Sequence, residues 1–329
     1  MPANLPPQYH EAEKRYRAAR TIPEKVAALQ EMLAVMPKHK GTDHLKADLR
    51  ARVAKLTDEL ERPAGSRSGR PSPFAIRKEG AGQAVLVGPP NSGKSSLLAA
   101  LTGAKVKVAS YPFTTQVPEP GMLRFENTHI QVVDTPPLSE GRLESRLFGL
   151  LRNSDMLVAV VDLGASPAAQ VEAVLGVLRQ WGMQALGLGE GPEPDRRQTD
   201  KRLVIAANKA DLEGAADAFH RLMADHGQHF PVVLTSATNA LGLEELGREI
   251  FRSLGVIRVY TASPGSKPSL ENPLVLAQGS TVEDAATSIH KAWQRKLKYA
   301  LVWGSAKFEG QRVGRDYVLA DGDVLELHG

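Results

Sequence analysis

AVLVGPPNSGKS, residues 84–95, joins an apolar strand pattern to a glycine-rich loop. The loop has the GxxxxGKS spacing of a phosphate-binding loop, and a helical pattern follows it. Backbone amides at the start of such a helix bind phosphate oxygens, the lysine reaches the β- and γ-phosphates, and the serine hydroxyl binds Mg²⁺. The nucleotide-binding residues predicted here are Gly88, Pro89, Pro90, Asn91, Ser92, Gly93, Lys94, Ser95 and Ser96. The loop alone leaves ATP, GTP and many reactions open.

Short apolar strand patterns alternate with helical patterns on both sides of this loop. The strand patterns lie at 84–87, 123–125, 130–134, 156–162, 203–208 and 232–236. The helical patterns lie near 94–101, 143–152, 168–181, 215–226 and 243–253. This alternation predicts an α/β P-loop NTPase domain, with a mostly parallel sheet and helices on both of its faces. We expect the domain to span residues 81–255.

NKAD, residues 208–211, follows one of these strands and selects the base. The Asp211 carboxylate can accept the ring N–H and the amino N–H of guanine, which adenine does not offer in that arrangement. Asn208 can bond the purine edge, and the stem of Lys209 can cover the ring. TSA, residues 235–237, follows the next strand, so we expect amides around Ser236 and Ala237 to face the guanine O6. The predicted ligands are therefore GTP and GDP.

The two ends of the chain have different patterns. Residues 1–62 predict a helical hairpin, with a capping box of Thr21 and Glu24 on one helix and Thr42 as the N-cap of the other. Residues 63–80 are expected to be a flexible linker. Residues 256–329 predict a small domain of one helix on a sheet, the helix being capped by Ser280 with Glu283 and carrying Trp293 on its apolar face.

Composition excludes several classes of protein. There is no cysteine, so disulfides and thiolate metal sites are excluded, and nothing argues for an oxidising compartment. The longest apolar run is far shorter than the roughly 18 residues of a membrane span, so we expect a cytoplasmic protein without a membrane partner. The net charge is +4, and residues 1–62 hold 12 Lys+Arg against 9 Asp+Glu. That excess fits an RNA-facing arm or a solvated helix surface about equally well.

Three motifs together carry a family resemblance. YPFTT at 111–115, with GPPNSGKS and NKAD, resembles the Obg superclass of translation-factor-like GTPases. The tail, from GSTVEDAATSIHKAWQRKLKYALVW at 279–303 to VLELH at 324–328, closely resembles the TGS domain of the developmentally regulated GTP-binding proteins. This resemblance covers nearly the whole chain. It implies an Obg-type G domain, a β-grasp TGS domain at 256–329, and a GTPase associated with ribosomes or RNA.

The resemblance also implies roles for particular residues. Thr115 looks like the switch I threonine that closes on Mg²⁺, and Asp134 looks like the switch II aspartate that holds Mg²⁺ through a water. Asn91 stands where potassium-activated relatives hold a monovalent cation, so K⁺ stimulation is implied, although simple loop polarity remains an alternative. The implied catalytic residues are Lys94, Thr115 and Asn91. The implied Mg²⁺ site is Ser95, Thr115 and Asp134.

Two features depart from the family pattern. Asp134 and Asn208 are 74 positions apart, which leaves no room for the extra small domain of relatives from larger genomes. The DxPG motif reads DTPP, so Pro137 has no N–H for the γ-phosphate. Leu138 follows it and cannot position water with its side chain.

The apolar residue at 138 is usual in the family, whereas Pro137 predicts a slow GTPase with a weakened or rewired switch II. Pro137→Gly is expected to raise the ratio of GTP to GDP affinity unless the Leu138 N–H already replaces the missing donor. The alternative is a guanine-nucleotide-dependent ribosome or RNA scaffold that does not hydrolyse GTP. A P-loop kinase is disfavoured by NKAD.

Candidate contacts to RNA lie near the C-terminal helix. Lys291, Arg295, Lys296 and Lys298 are expected to face RNA phosphate, although cations are also favoured at a helix C-terminus by the helix dipole. Trp293 and Trp303 are predicted to be core residues rather than stacking platforms. A DNA target is not expected. The particular ribosomal or RNA target, and the need for a small protein partner, stay open.

Overall fold

A computed structural model of the chain describes residues 7–18, 28–29, 31–33, 35, 49, 73–103, 117–138, 145–187, 199–263 and 270–329. The chain divides into two compact units, Met1–Ala75 and Ile76–Gly329. The predicted domain boundaries after residues 62, 80 and 255 stay predictions.

The N-terminal unit contains a helix that the sequence patterns did not predict, α1 (Pro7–Ala18). Its buried residues pack in an apolar cluster with residues further along the unit: Tyr9, Ala12, Leu29, Met32 and Leu49. Arg15 forms an ion pair with Glu31 at 3.0 Å. The predicted caps Thr21, Glu24 and Thr42 lie outside the described residues.

A seven-stranded sheet forms the first part of the second unit. Its strands are β1 (Gln83–Val87), β2 (Glu119–Phe125), β3 (Thr128–Asp134), β4 (Met156–Asp162), β5 (Ala185–Leu186), β6 (Lys201–Asn208) and β7 (Val232–Leu234). The order is β2-β3-β1-β4-β6-β5, with β7 also paired to β6. All pairs are parallel except β2 with β3. The prediction of a mostly parallel sheet is confirmed.

Helices cover this sheet on both faces. They are α2 (Lys94–Thr102), α3 (Ser145–Asn153), α4 (Pro167–Gln180), α5 (Ala215–His226) and α6 (Leu243–Leu254). Apolar residues of α2 and α6, such as Leu98 and Ile250, pack with alternate residues of the strands. The intervening strand residues point to the opposite face, where α4 contacts β4 and α5. Among the described residues, no helix is long and apolar enough to span a membrane.

A second sheet of five strands follows. Its strands are β8 (Val256–Ala262), β9 (Leu274–Ala277), β10 (Tyr299–Trp303), β11 (Gln311–Val313) and β12 (Val324–His328). The order is β11-β10-β12-β8-β9. Helix α7 (Val282–Ile289) packs on one face of this sheet through Val282, Ala285 and Ala286. The prediction of a small domain with a helix on a sheet is confirmed, and the sheet itself is mixed.

The start and end of α7 differ from the prediction. The N-cap is Thr281, which forms a capping box with Asp284, so the predicted pair of Ser280 and Glu283 was wrong by one position. Ser280 with Glu283 and Thr281 with Asp284 have the same spacing, so the sequence does not distinguish them. In the structure Thr281 has the extended backbone that an N-cap requires. The helix ends at Ile289, so Trp293 belongs to a separate short helix, α8 (Trp293–Lys296). Trp293 nevertheless packs against the core of this domain.

Arg258 of β8 connects the two sheets. Its Nη2 donates to Asp321 Oδ2 at 2.7 Å within the C-terminal domain. Its Nη1 bonds Glu126 and also donates to Asn127 Oδ1 at 3.3 Å, both in the turn between β2 and β3. The guanidinium also lies 4.9 Å from the ring centroid of Phe251 on α6. One side chain, 11% exposed, therefore ties the C-terminal sheet to the first sheet.

Arg258→Ala is expected to destabilise this unit. Removing one partner of a buried ion pair costs a few kcal/mol of the free energy of unfolding. Because Glu126 is well exposed, we expect a loss of about 2 kcal/mol for Arg258→Ala. Urea unfolding monitored by fluorescence measures the change. Arg248→Ala is the matched control, since Arg248 forms exposed ion pairs with Glu244 and Glu245 on α6 and the change should alter the free energy of unfolding by less than about 0.5 kcal/mol. Equal losses in the two variants would contradict the role of Arg258.

Candidate nucleotide-binding site

The GxxxxGKS loop connects β1 to α2 at the carboxyl edge of the sheet. Lys94, the first residue of α2, is 7% exposed, and its Nζ donates to the carbonyl oxygens of Gly88 at 3.1 Å and Pro89 at 2.9 Å. The first turn of the helix begins with Leu97 N–H donating to Gly93 O at 2.8 Å. The loop is therefore wrapped around the lysine, and a helix N-terminus, which favours anions, is at its end.

Burial lowers the pKa of Lys94 from 10.5 to about 8, although the negative charge of Asp134 opposes this shift. The ammonium group is thus held where water solvates it poorly. A phosphate group beside it would stabilise the charged form.

Ser95 and Asp134 bring a hydroxyl oxygen and a carboxylate oxygen together. The Ser95 hydroxyl donates to Asp134 Oδ2 at 2.5 Å, and Asp134 is the fully buried last residue of β3. Mg²⁺ prefers oxygen ligands of this kind, so these residues fit the ion implied by the resemblance. The Ser92 hydroxyl is buried in the same loop and has no hydrogen-bond partner among the described residues. Thr115, the remaining predicted ligand, lies outside the described part of the chain.

Asn208 joins the phosphate loop to the NKAD motif. Its Nδ2 donates to Ser92 O at 3.0 Å, and its Oδ1 accepts the N–H of Ala237 at 3.2 Å. A Cβ on Gly93 would lie 2.3 Å from that Nδ2, and Gly93 has a φ of +92°. Gly93 therefore allows the loop and Asn208 to approach each other.

Gly93→Ala is expected to weaken nucleotide binding at least about tenfold, because the methyl group displaces Asn208 and strains the backbone at the cost of roughly 1–2 kcal/mol. Gly103→Ala is the matched control: Gly103 has a φ of +67°, yet a Cβ at this position would meet no atom within 4 Å. Titration with a fluorescent GDP measures both. Similar affinities in the two variants would contradict the contact between Gly93 and Asn208.

The NKAD and TSA motifs also lie together. Asp211 Oδ1 accepts the Ser236 hydroxyl at 2.5 Å, and Ser236 Oγ accepts Asn239 N–H at 3.1 Å. The Ser236 amide donates to Leu241 O, so Ser236 contributes its hydroxyl to this arrangement. The predicted contacts of Ser236 and Ala237 with guanine O6 stay predictions.

Asp162 was missing from the predicted site. Lys209, at a φ of +67°, donates from Nζ to Asp162 Oδ2 at 2.5 Å, which fixes the lysine stem beside the NKAD loop. Asp162 is the last residue of β4 and pairs in register with Asn208, the last residue of β6. An acidic residue ending the strand MLVAVVD was the sequence signal for it.

The DTPP segment contacts both β1 and the phosphate loop. The buried Thr135 donates from Oγ1 to Leu86 O at 2.7 Å, and Leu138 N–H donates to Gly88 O at 3.2 Å. Pro136 and Pro137 between them are half-buried. The segment is therefore attached at both ends beside Asp134.

The remaining predicted residues occupy the edge of the site or lie in the C-terminal domain. Asn91 is exposed on the phosphate loop with a φ of +61°, Pro90 is exposed, and Ser96 is half-buried in the first turn of α2. The predicted RNA contacts are all exposed near α8: Lys291, Arg295, Lys296 and Lys298. Trp303 is half-buried on β10.

Comparisons with known proteins match both domains. Residues 83–188 match the family described as "50S ribosome-binding GTPase", and residues 257–328 match the TGS domain. The FeoB G-domain from Methanococcus jannaschii superposes with a TM-score of 0.37 and 24% identity, covering 53% of this chain and 97% of that chain. A superposition at that score supports no conclusion of its own.

Curated relatives match almost end to end. A GTP-binding protein of Halobacterium salinarum is 29% identical over 365 residues, covering 93% of this chain and 98% of that protein. Developmentally-regulated GTP-binding protein 1 of Xenopus laevis is 27% identical over 361 residues, covering 92% and 98%. The resemblance predicted from the sequence is therefore confirmed: this chain is a GTP-binding protein with a GTPase domain and a C-terminal TGS domain, related to the developmentally regulated GTP-binding proteins.

Proposed function

We propose that this protein hydrolyses GTP slowly to GDP and phosphate and associates with a ribosome or an RNA through its TGS domain and its N-terminal helices. The observation that supports hydrolysis best is the convergence of three motifs. Ser95 contacts Asp134, and Asn208 holds the phosphate loop against the motif that selects guanine. A bound GTP would have its phosphates beside Lys94 and its base beside Asp211.

The reaction would be an in-line attack of water on the γ-phosphorus. Lys94 stabilises negative charge on the β- and γ-phosphate oxygens, and amides at the start of α2 hold the phosphates. Ser95, Thr115 and, through a water, Asp134 would hold Mg²⁺, which neutralises developing charge on the phosphates. Asn91 would hold K⁺ beside the phosphates.

The proposed low rate follows from Leu138. Its side chain is apolar and largely buried, so it cannot orient the attacking water as a glutamine does. Water positioning would then depend on K⁺ or on a partner. The same feature also suits the alternative, a scaffold that binds guanine nucleotide without hydrolysing it.

Single-turnover hydrolysis of GTP by the full chain tests the proposal. We expect turnover in potassium buffer that falls in sodium buffer and rises when ribosomes are added. Asn91→Ala should remove the difference between potassium and sodium if Asn91 holds the cation. Tight binding of guanine nucleotide with no turnover in any of these conditions would overturn hydrolysis in favour of the scaffold.

The proposed RNA contact is supported by four exposed cations around α8. Replacing Lys291, Arg295, Lys296 and Lys298 with Gln should weaken sedimentation with ribosomes and reduce its salt dependence, because fewer counterions are released. The control variant removes the same charge from the GTPase domain. It replaces four exposed arginines with Gln: Arg124, Arg146, Arg152 and Arg221. Equal weakening in both variants would contradict a specific TGS contact.

A further inference from the structure

The four residues after Asp134 offer few backbone donors. Pro136 and Pro137 carry no N–H, so Leu138 supplies the first backbone N–H after Thr135. Each proline has a fixed φ, and each restricts the residue before it to extended conformations. Thr135 is anchored to β1 through its bond to Leu86 O. This short, stiff connection therefore determines where the Leu138 amide lies.

The Leu138 amide lies at the phosphate loop. Its N–H donates to Gly88 O at 3.2 Å, and the same oxygen accepts Lys94 Nζ at 3.1 Å. Lys94 is the residue that the proposed function places on the β- and γ-phosphates. Two donors that share one acceptor are close neighbours, so a nucleotide whose β- and γ-phosphates contact Lys94 would bring those phosphates close to the Leu138 amide. Leu138 is 9% exposed, and its burial holds the residue in place.

We propose that the backbone amide of Leu138 is the γ-phosphate sensor of this protein. It replaces the donor that the glycine of the DxPG motif supplies in related GTPases and that Pro137 cannot supply. With GDP bound, the amide stays on Gly88 O. With GTP bound, it donates to a γ-phosphate oxygen, because a charged oxygen is a stronger acceptor than a neutral carbonyl. Lys94 remains as the donor to Gly88 O when Leu138 leaves it. This inference rests on the proposed binding of GTP.

The test compares affinities of the full chain for GDP and for a non-hydrolysable GTP analogue, both with Mg²⁺. Leu138→Pro removes the amide, and we expect it to weaken analogue binding at least about tenfold while GDP affinity changes less than about threefold. Leu138→Met is the matched control, since it keeps both the amide and an apolar side chain of similar volume. Its analogue-to-GDP ratio should equal that of the parent.

Pro137→Gly is an independent test that does not depend on the folding of Leu138→Pro. If Leu138 already donates to the γ-phosphate, a new amide at 137 should change the ratio less than about threefold. A rise of tenfold or more would overturn the proposal, because it would mean that the parent lacks a donor there. A Leu138→Pro variant that binds GDP and the GTP analogue as tightly as the parent would also overturn the proposal.

The outcome also separates this inference from the proposed function. A Leu138→Pro variant with the parental ratio of analogue to GDP affinity overturns the inference and leaves guanine-nucleotide binding intact. A parent that binds neither nucleotide overturns the proposed function itself.

Discussion

Asp211→Asn is expected to lower the affinity for GTP and GDP by about 100-fold or more. The carboxylate accepts two N–H groups of guanine, and hydrogen bonds to a charged group contribute about 1.5–3 kcal/mol each. Asparagine has one acceptor oxygen, and its amide group would face the guanine amino group as a second donor. Nucleotide titration by fluorescence or calorimetry measures the loss. The Asp211 bond from Ser236 survives the change, because the asparagine oxygen can still accept that hydroxyl.

Xanthosine triphosphate is the matched probe for this variant. Xanthine carries a carbonyl where guanine carries its amino group, so the asparagine side chain of the variant can donate to that carbonyl and accept the ring N–H. We therefore expect Asp211→Asn to bind xanthosine triphosphate better than GTP, and the parent to show the reverse preference. A variant that loses both nucleotides equally has lost its fold or its phosphate site. A variant that keeps GTP would contradict the assignment of Asp211 to the base.

Much of this site is local in sequence and could be predicted. The phosphate loop needs a strand, a glycine-rich turn and a helix within about fifteen residues, and residues 84–95 supply all three with fixed spacing. Asp134 and Asn208 end strands that are clearly apolar, and parallel strands bring their carboxyl ends to one edge of a sheet. These residues could therefore be grouped from the sequence alone.

The parts that escaped prediction depend on contacts between distant residues. The ion pair of Lys209 with Asp162 and the bond of Thr135 to Leu86 join different strands, and each depends on strand order. In the sequence VIRVY, nothing distinguishes Arg258 from other surface cations. Only the fold shows that it contacts the β2–β3 turn. Strands β5, β9 and β11 are two to four residues long, too short to show a periodic pattern.

Lys94 and Lys201 are two buried lysines whose functions should differ sharply. Burial lowers the pKa of both, and each donates to backbone carbonyls, Lys201 to Ser154 O at 2.8 Å. Lys94 lies in the phosphate loop, whereas Lys201 begins β6 at the opposite end from Asn208. The pair therefore separates the effect of burying an ammonium group from the effect of placing it beside phosphate.

Lys94→Met is expected to lower single-turnover GTP hydrolysis by about 1000-fold or more, because it removes a preorganised charge from the γ-phosphate, and losing even a neutral donor costs roughly 10²–10³ in rate. Methionine keeps the length of the stem without the charge that is poorly solvated there. The free energy of unfolding should therefore stay unchanged or rise, measured by urea denaturation, while activity is lost. Lys201→Met should hydrolyse GTP at close to the parental rate. Hydrolysis by Lys94→Met within about tenfold of the parent, or an equal loss in Lys201→Met, would show that the charge at residue 94 does not act on the phosphates.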